Sequence, residues 1–354
     1  MPRAWIAGGW TLTSRTLHIT TAGLRSPVLV PSISSKGFPV LDDGTSETAN
    51  VLKFVAPELS DSLLISAYDL HHGFLPDIEL LLSDRHAESL YFNPNLLVVD
   101  SGGYELSHEY ESGEVGRGPR SPRRFTREEH HAILDRLPKD REILAVTYDD
   151  QRKKRPTYEE QLAAAQDLTV DFPHFSVDFL VKPAREAQCI DPAKLFPVLP
   201  DLRKFAVVGF TEKDLGKTII ERLTTVVTLR KQMDDAGLAG IPIHIFGGLD
   251  PLLTSLYFMC GAEIFDGLSW LRYAYHSGVA IHEAEIAILT NAIDVGDDLR
   301  AARRHLANLK YLHDFQHRLE RWAADPASFE LLGDHHERLR EVYELVHARL
   351  QGGA

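Results

Sequence analysis

Cysteine is nearly missing from this chain. Only Cys189 and Cys260 occur among 354 residues, far from each other and from any histidine at metal-ligand spacing. With no CxxC pair, a cysteine-rich structural zinc has nothing to be built from, and two lone thiols fit a reducing cytoplasm. Long apolar runs are missing too: no stretch of about 18 apolar residues could span a membrane, and the opening MPRAWIAGGWTLTSR lacks the apolar core of a signal peptide. Positive charge is in short supply, with 38 Lys and Arg against 51 Asp and Glu and a formal net charge of −13. The overall field therefore does not favour nucleic acid, which only local patches could hold. No GxGxxG or GKS/T turn follows an early strand, so the usual nucleotide loop of a doubly wound sheet is absent. The expectation is a cytosolic protein with no cofactor, no metal site and no membrane contact.

What is present is ample core material, with 44% of residues hydrophobic and 25% charged. Short apolar runs recur at PVLVPS (27–32), LLISAY (63–68), LLVVDS (96–101), ILAVTYD (143–149), DFLVKP (178–183), FAVVGF (205–210), IHIFGG (243–248) and EIFDG (263–267). They are continuously apolar, as strands covered on both faces are. Between them lie helix candidates: REEHHAILDRL behind Thr126, TYEEQLAAAQDL capped by Thr157, TIIERLTTVVTLRKQMDDAG ending on Gly237, and DPLLTSLYFMCG from Asp250 to Gly261. Eight strands alternating with helices predict a (β/α)8 TIM barrel, an α/β fold, with an open doubly wound sheet as the alternative. Residues 1–285 are assigned to the barrel, residues 1–24 forming a short hairpin at its bottom. Residues 286–354 form a helical C-terminal subdomain, in which Leu299, Ala302, Leu306, Leu309, Leu312, Phe315, Leu319 and Trp322 step along one face. That stripe is expected to cover the barrel flank.

The strand ends carry acids and glycines: Ser66 and Asp69, Asp100 with Ser101, Gly102 and Gly103, Asp149 and Asp150, Lys182, Gly209, Gly247 and Gly248, and Asp266 with Gly267. Barrels of this class work at these ends. A carboxylate closing a buried strand is costly without a partner or a task, and LLVVD and EIFD each close on one. Singly, each residue has a plainer reading: Asp100 and Asp150 as helix caps, Lys182 as a solvated loop lysine, Asp266 with glycine as a turn. As a set at one mouth they point to a site for a cationic centre or for a ring bearing N–H donors. Two basic clusters follow strands three and four, Arg117, Arg120, Arg123 and Arg124 in RGPRSPRR and Arg152, Lys153, Lys154 and Arg155 in RKKR. A basic rim over an acidic pit suits a phosphate-bearing polymer. Histidine pairs at 71/72, 130/131 and 335/336 do not make a metal site, because neighbouring helical residues diverge and no third ligand completes a set; His313 and His317 are better spaced but stand alone.

DSGGYE resembles the DSGGFQ motif of the tRNA-guanine transglycosylase family. HIFGGLDPLLTSLYFMCGAEIFDGLSWLR is similar to that family's Gly-rich segment, helix and FDCVLPTR run, with Asp266 and Arg272 at the same spacing. LISAYDL resembles its ILANTYHL, TYDDQRKKRPTYEEQLAAA its FDECTPYPATEEEA stretch, and SPVLVPS its opening PVFMPVGT. The motifs run in family order over residues 25–285. The resemblance implies guanine exchange at a nucleoside, with Asp266 as the nucleophile on C1′, Asp100 as the general acid/base, and Asp149 pairing with the N–H edge of the base. Ser66, Ser101, Gly102 and Gly103 would line the pocket, joined by Gly209 through its backbone and by Gly247, Lys182 and Arg272. The implied partners are nucleic acid, tRNA or DNA, a 7-deazaguanine base such as 7-cyano-7-deazaguanine, and a second subunit, either another copy or a different protein.

The chain departs from the family where the zinc cluster and an appended RNA-binding domain would stand, and it has LVKP for VQGG, Asp69 for the histidine of TYHL and Ser66 for its asparagine. These changes leave the acid and nucleophile in place and leave the substrate open. Two other functions compete: a non-catalytic nucleic-acid-binding paralogue, and a barrel enzyme using Lys182 as a Schiff-base amine.

Overall fold

Each of the eight apolar runs is long enough to cross a barrel wall once, and each forms one strand. The structure, a computed structural model, describes residues 5–6, 9–10, 17, 23–77, 82, 94–107, 121–149, 155–184 and 186–352. The strands are β1 (Val28–Ile33), β2 (Ser62–Ser66), β3 (Leu96–Asp100), β4 (Ile143–Val146), β5 (Ser176–Val181), β6 (Val207–Thr211), β7 (Ile243–Phe246) and β8 (Ile264–Gly267). They pair in chain order, all parallel, and β8 closes on β1 with Ile264 opposite Val28 and Asp266 opposite Val30. The fold is a (β/α)8 TIM barrel with a helical extension.

Alternation along each strand divides the core in two. Val28, Val30, Leu64, Leu96, Val98, Leu144, Val146, Leu180, Val207 and Ile264 pack together inside the barrel. Their neighbours Leu29, Ile33, Leu63, Ile65, Leu97, Val99, Ile143, Phe179, Phe210 and Phe265 join the outer cluster under the helices. The lower end of the lumen is sealed by Leu17, 1% exposed, whose N–H donates to the Leu24 carbonyl at 2.7 Å. Trp5–Ile6 and Gly9–Trp10 form the antiparallel ribbon expected within residues 1–24.

The helices start where the caps predict. Thr126 with Glu129, Thr157 with Glu160 and Thr218 with Glu221 each make a reciprocal capping box, opening Arg127–Asp135, Tyr158–Asp171 and Ile219–Asp235. Asp250 caps Pro251–Met259. After β8 a short helix, Ser269–Arg272, leads into a hairpin of Ala274–His276 and Val279–Ile281, turned by Ser277 and Gly278, both at positive φ. Only then come the helices Glu283–Leu289, Asp297–Ala324 and His336–Gly352.

The apolar stripe covers the barrel flank. Leu309, Leu312, Phe315, Leu319 and Trp322 belong to the same buried cluster as the outward faces of the strands, although Leu299 and Leu306 at the start of the stripe remain exposed. Among the described residues no helix is long and apolar enough to cross a membrane. Because Trp322 is fully buried in that shared core, Trp322→Ala is expected to cost about 3–5 kcal/mol. Urea unfolding followed by far-UV circular dichroism and by fluorescence should show one coincident transition at a lower midpoint.

Candidate active site

The alternation that fills the lower lumen with Val, Leu and Ile also aims the polar residues. Continuing each inward register places Ser32 beyond Val30, Ser66 beyond Leu64, Asp100 beyond Val98, Lys182 beyond Leu180, Thr211 beyond Gly209, and Asp266 beyond Ile264. A cavity of about 1090 Å³ opens at this end, lined by Asp100, Asp149, Lys182 and Asp266 among others.

Asp266 is held by two hydrogen bonds and an ion pair. The Ser32 hydroxyl donates to Oδ2 at 2.8 Å, the Gly247 N–H to Oδ1 at 3.1 Å, and His244 Nε2 lies 3.3 Å from Oδ1. Gly247 reaches this position at φ +80°, a conformation that glycine adopts without strain. His244 Nδ1 is 2.7 Å from Asp178 Oδ2, and neither residue of that pair is exposed. Burial alone would drive the imidazole pKa down, but bonding and charge from Asp178 and Asp266 push it up to about 9. Burial acts on Asp178 in the opposite sense and raises it against the pull of the ring. The pull of Asp178 and Asp266 favours a proton on the imidazole between them. Neither Asp178 nor His244 was among the residues assigned from sequence, although each is a lone polar side chain at an inward position of an otherwise apolar strand.

Asp100 has a different environment. Its Oδ2 accepts from the Gly102 N–H at 3.0 Å. Burial first, then the charge of Glu105, and less strongly Asp266 and Asp149, push its pKa up to about 8. Glu105, 2% exposed and lining the same cavity, accepts from the hydroxyls of Ser34 and Ser66, the latter at 2.9 Å. Gly102 sits at φ +83°, where a Cβ would stand 2.6 Å from the Tyr68 Cβ, so the turn after β3 needs glycine.

Lys182 is not a solvated loop lysine. Its Nζ lies 3.0 Å from Asp214 Oδ2 and 3.5 Å from Asp149 Oδ2, and donates to Thr211 Oγ1 at 2.9 Å. Its backbone is clamped on both sides by the Gln161 amide. Burial by itself lowers the ammonium pKa, yet the two carboxylates outweigh it and leave the group above its usual value. An amine meant to attack a carbonyl is tuned the other way, which removes the physical basis of the Schiff-base alternative.

The remaining assigned residues divide into lining and support. Gly103, Gly247 and Arg272 line the cavity; Ser66, Ser101, Gly102 and Gly209 do not. Ser101 is fully buried and its hydroxyl accepts from the Asp149 N–H at 3.2 Å. Gly209 makes room for Phe246 and Asp178, which a Cβ would meet at 2.4 and 2.7 Å. Gly103 likewise admits Asp149, whose Oδ2 would lie 2.6 Å from a Cβ. Asp69 binds the Ser35 N–H at 2.7 Å, tying the turns after β2 and β1 together. Arg272 donates to the Tyr104 hydroxyl at 3.0 Å, and the Lys36 ammonium stands 4.3 Å from the centre of the Tyr104 ring, which faces the cavity.

Of the rim, Arg155 lines the cavity. Arg123 lies instead along the turn after β2, its N–H donating to the Tyr68 hydroxyl at 2.8 Å and its guanidinium 4.7 Å from the Phe74 ring centre. Arg124 is exposed outside the cavity. Arg117, Arg120, Asp150, Arg152, Lys153 and Lys154 lie outside the described residues. Arg127, Lys213 and Arg222 add basic side chains to the lining that sequence reading did not single out.

Of the histidine pairs, 130/131 diverges, His130 buried in the core while His131 faces Asp171 at 3.5 Å, whereas the His71 and His72 rings meet edge to face with centroids 4.7 Å apart. Among the described residues no three His, Cys, Asp or Glu side chains gather as metal ligands. Compared with family models and with curated proteins, the chain matches none. The site itself can hold one carboxyl protonated near neutrality beside a second carboxylate held by donors, and it can present an acceptor, Asp149, next to a donor, Lys182.

Removing the cation between two carboxylates takes the Lys182 charge from both. Lys182→Met is therefore expected to destabilise the fold by about 3–5 kcal/mol, read as a lower urea midpoint at neutral pH.

Proposed function

We propose that this chain is a base-exchange glycosyltransferase of the cytoplasm, replacing guanine by a 7-deazaguanine such as 7-cyano-7-deazaguanine in tRNA or DNA through a covalent aspartyl-glycosyl intermediate. The observation that carries this reading is the split between two carboxyl groups facing one cavity: Asp100 is pushed up to about 8, whereas Asp266 is surrounded by a hydroxyl, an amide and an imidazolium. Two carboxyls with separated protonation states are what a double displacement at an anomeric carbon requires.

In the first half Asp266 forms a bond to C1′ as the C1′–N9 bond breaks; the electron pair goes to N9, which takes the Asp100 proton. In the second half the incoming base bonds through N9 to C1′, the carboxylate leaves with its electron pair, and Asp100 recovers the N9 proton. Asp149 beside Lys182 matches guanine, whose N–H donors adjoin the O6 acceptor, and mismatches adenine, which presents the opposite order. Tyr104 and Phe246 offer rings against which a base can stack. Arg155, Lys213 and Arg222 give the mouth basic groups for phosphates. The motif order and the paired acids also favour an enzyme over a non-catalytic paralogue.

Incubation with tRNA or DNA and labelled 7-cyano-7-deazaguanine should transfer label, with a denaturant-stable enzyme–nucleic acid adduct that Asp266→Ala abolishes. If neither nucleic acid takes up label or forms the adduct, the reading fails. Asp100 must be protonated to expel the base, so guanine release is expected to hold up to about pH 8 and then fall about tenfold per pH unit, measured in single turnovers from pH 6 to 10.

A further inference from the structure

Behind Asp266 stands a charged chain that the exchange chemistry as written does not use. Asp178 of β5, His244 of β7 and Asp266 of β8 run in line, joined at 2.7 and 3.3 Å. The ring registers against Gly209 of β6 on one side and Ile264 of β8 on the other, and the Phe246 ring packs on it at 3.9 Å. The charged groups facing it are Asp178 and Asp266; β6 contributes a glycine. Two features are expensive. Asp178 Oδ1 is buried without a hydrogen-bond partner among the described residues, and the room for it exists only because residue 209 has no side chain. A buried, half-satisfied carboxylate in a lumen otherwise packed with Val, Leu and Ile is not what stability alone would retain.

We propose that Asp178 and His244 are positioning residues that govern the second half of the exchange: Asp178 holds the His244 ring, and the ring holds Asp266 by Oδ1, so that Oδ2 is the oxygen that bonds to the sugar and the carboxylate can afterwards leave. The inference rests on the reading of Asp266 as nucleophile. Oδ1 is anchored by both the Gly247 N–H and the His244 ring, whereas Oδ2 has, among the described residues, the single hydroxyl of Ser32, which itself accepts from the Gly267 N–H at 3.1 Å. When Oδ2 bonds to C1′ the carboxylate loses its charge and Oδ1 becomes an ester carbonyl. The contact from Nε2, 3.3 Å in the resting site and not aligned as a hydrogen bond, weakens on that neutral oxygen and can tighten only as the ester breaks. As the incoming N9 bonds to C1′ and the Oδ2–C1′ bond breaks, negative charge returns to the carboxylate beside a fixed imidazolium. The ring keeps its proton throughout. A charge-assisted donor at this place lowers the barrier to expulsion more than it aids attack, because the attacking carboxylate already has its charge balanced.

Ring nitrogen NMR of the full chain, labelled at histidine, gives a readout independent of turnover. The His244 ring is expected to titrate near pH 9 in the wild type and lower in Asp178→Asn, where Asp266 alone opposes the effect of burial. In turnover, Asp178→Asn and His244→Gln should still form the adduct but resolve it about tenfold to a hundredfold more slowly, so that the trapped fraction rises while exchange falls. Adduct resolution as fast as wild type in both variants, or a wild-type ring that is neutral at pH 7, overturns the inference while leaving the transglycosylase reading standing. Absence of any adduct from the wild type on tRNA and DNA overturns both. Should either variant fail to fold, the wild-type titration still decides whether the ring carries the charge that the role demands.

Discussion

Closing eight parallel strands on themselves forces every second side chain of each strand into one narrow lumen, and the rest of the molecule follows from how that lumen is filled. At the lower end Leu17, Val28, Leu96, Leu144, Val207 and Ile264 fill it with hydrocarbon. Two to four residues further along the same registers the filling becomes polar, with Ser32, Ser66, Asp100, Lys182, Thr211 and Asp266. A lumen that excludes water below and admits a ligand above gives those groups a low-dielectric floor. Charges there must be matched side chain by side chain, since solvent cannot do it.

The matching is unequal, and the inequality creates the chemistry. Asp266 has the His244 ring, Asp149 and Asp214 share Lys182, and Glu105 has two serine hydroxyls. Asp100 has the Gly102 N–H but, among the described residues, no cation, while Glu105, Asp266 and Asp149 all raise its pKa. A carboxyl in that position is where a proton is stored. The distribution of cations, rather than any property of one aspartate, separates Asp100 from Asp266.

Much of this was legible before any coordinates. Continuous apolar runs marked all eight strands because both faces of each are covered, and the Thr-x-x-Glu boxes at Thr126, Thr157 and Thr218 marked helix starts because two otherwise orphaned N–H groups are satisfied there. Asp100, Asp149, Lys182 and Asp266 fell at one mouth because strand direction fixes which end they occupy. Asp178 and His244 escaped because they sit within the apolar runs DFLVKP and IHIFGG instead of at their ends. Counting parity along those runs would have aimed both inward. Nor could spacing tell that Ser101 and Gly209 support the wall without lining it, since both depend on how near Asp149, Asp178 and Phe246 approach across strands. Arg123 lies along the turn after β2 for a similar reason: the Phe74 ring offers its guanidinium a flat apolar surface there.

The segment after β8 completes the argument. A chain with two cysteines has no cluster of thiolates to staple the backbone that follows Asp266, and Asn308 of the long C-terminal helix does that work with one amide. Its Nδ2 donates to the carbonyls of Trp270 and Tyr273 at 2.6 and 2.7 Å, its Oδ1 accepts from the Tyr275 N–H at 2.8 Å, and Arg304, one turn earlier, reaches the Leu271 carbonyl at 2.8 Å. Trp270 in turn donates its indole N–H to the Ser32 carbonyl at 3.0 Å, and it is the Ser32 hydroxyl that touches Asp266. The helical extension is thereby coupled to Asp266 through three residues. Its apolar stripe fixes the helix on the barrel flank, and its one buried asparagine converts that packing into a fixed position for Ser32 and, through the same turn, for Arg272 at the cavity wall.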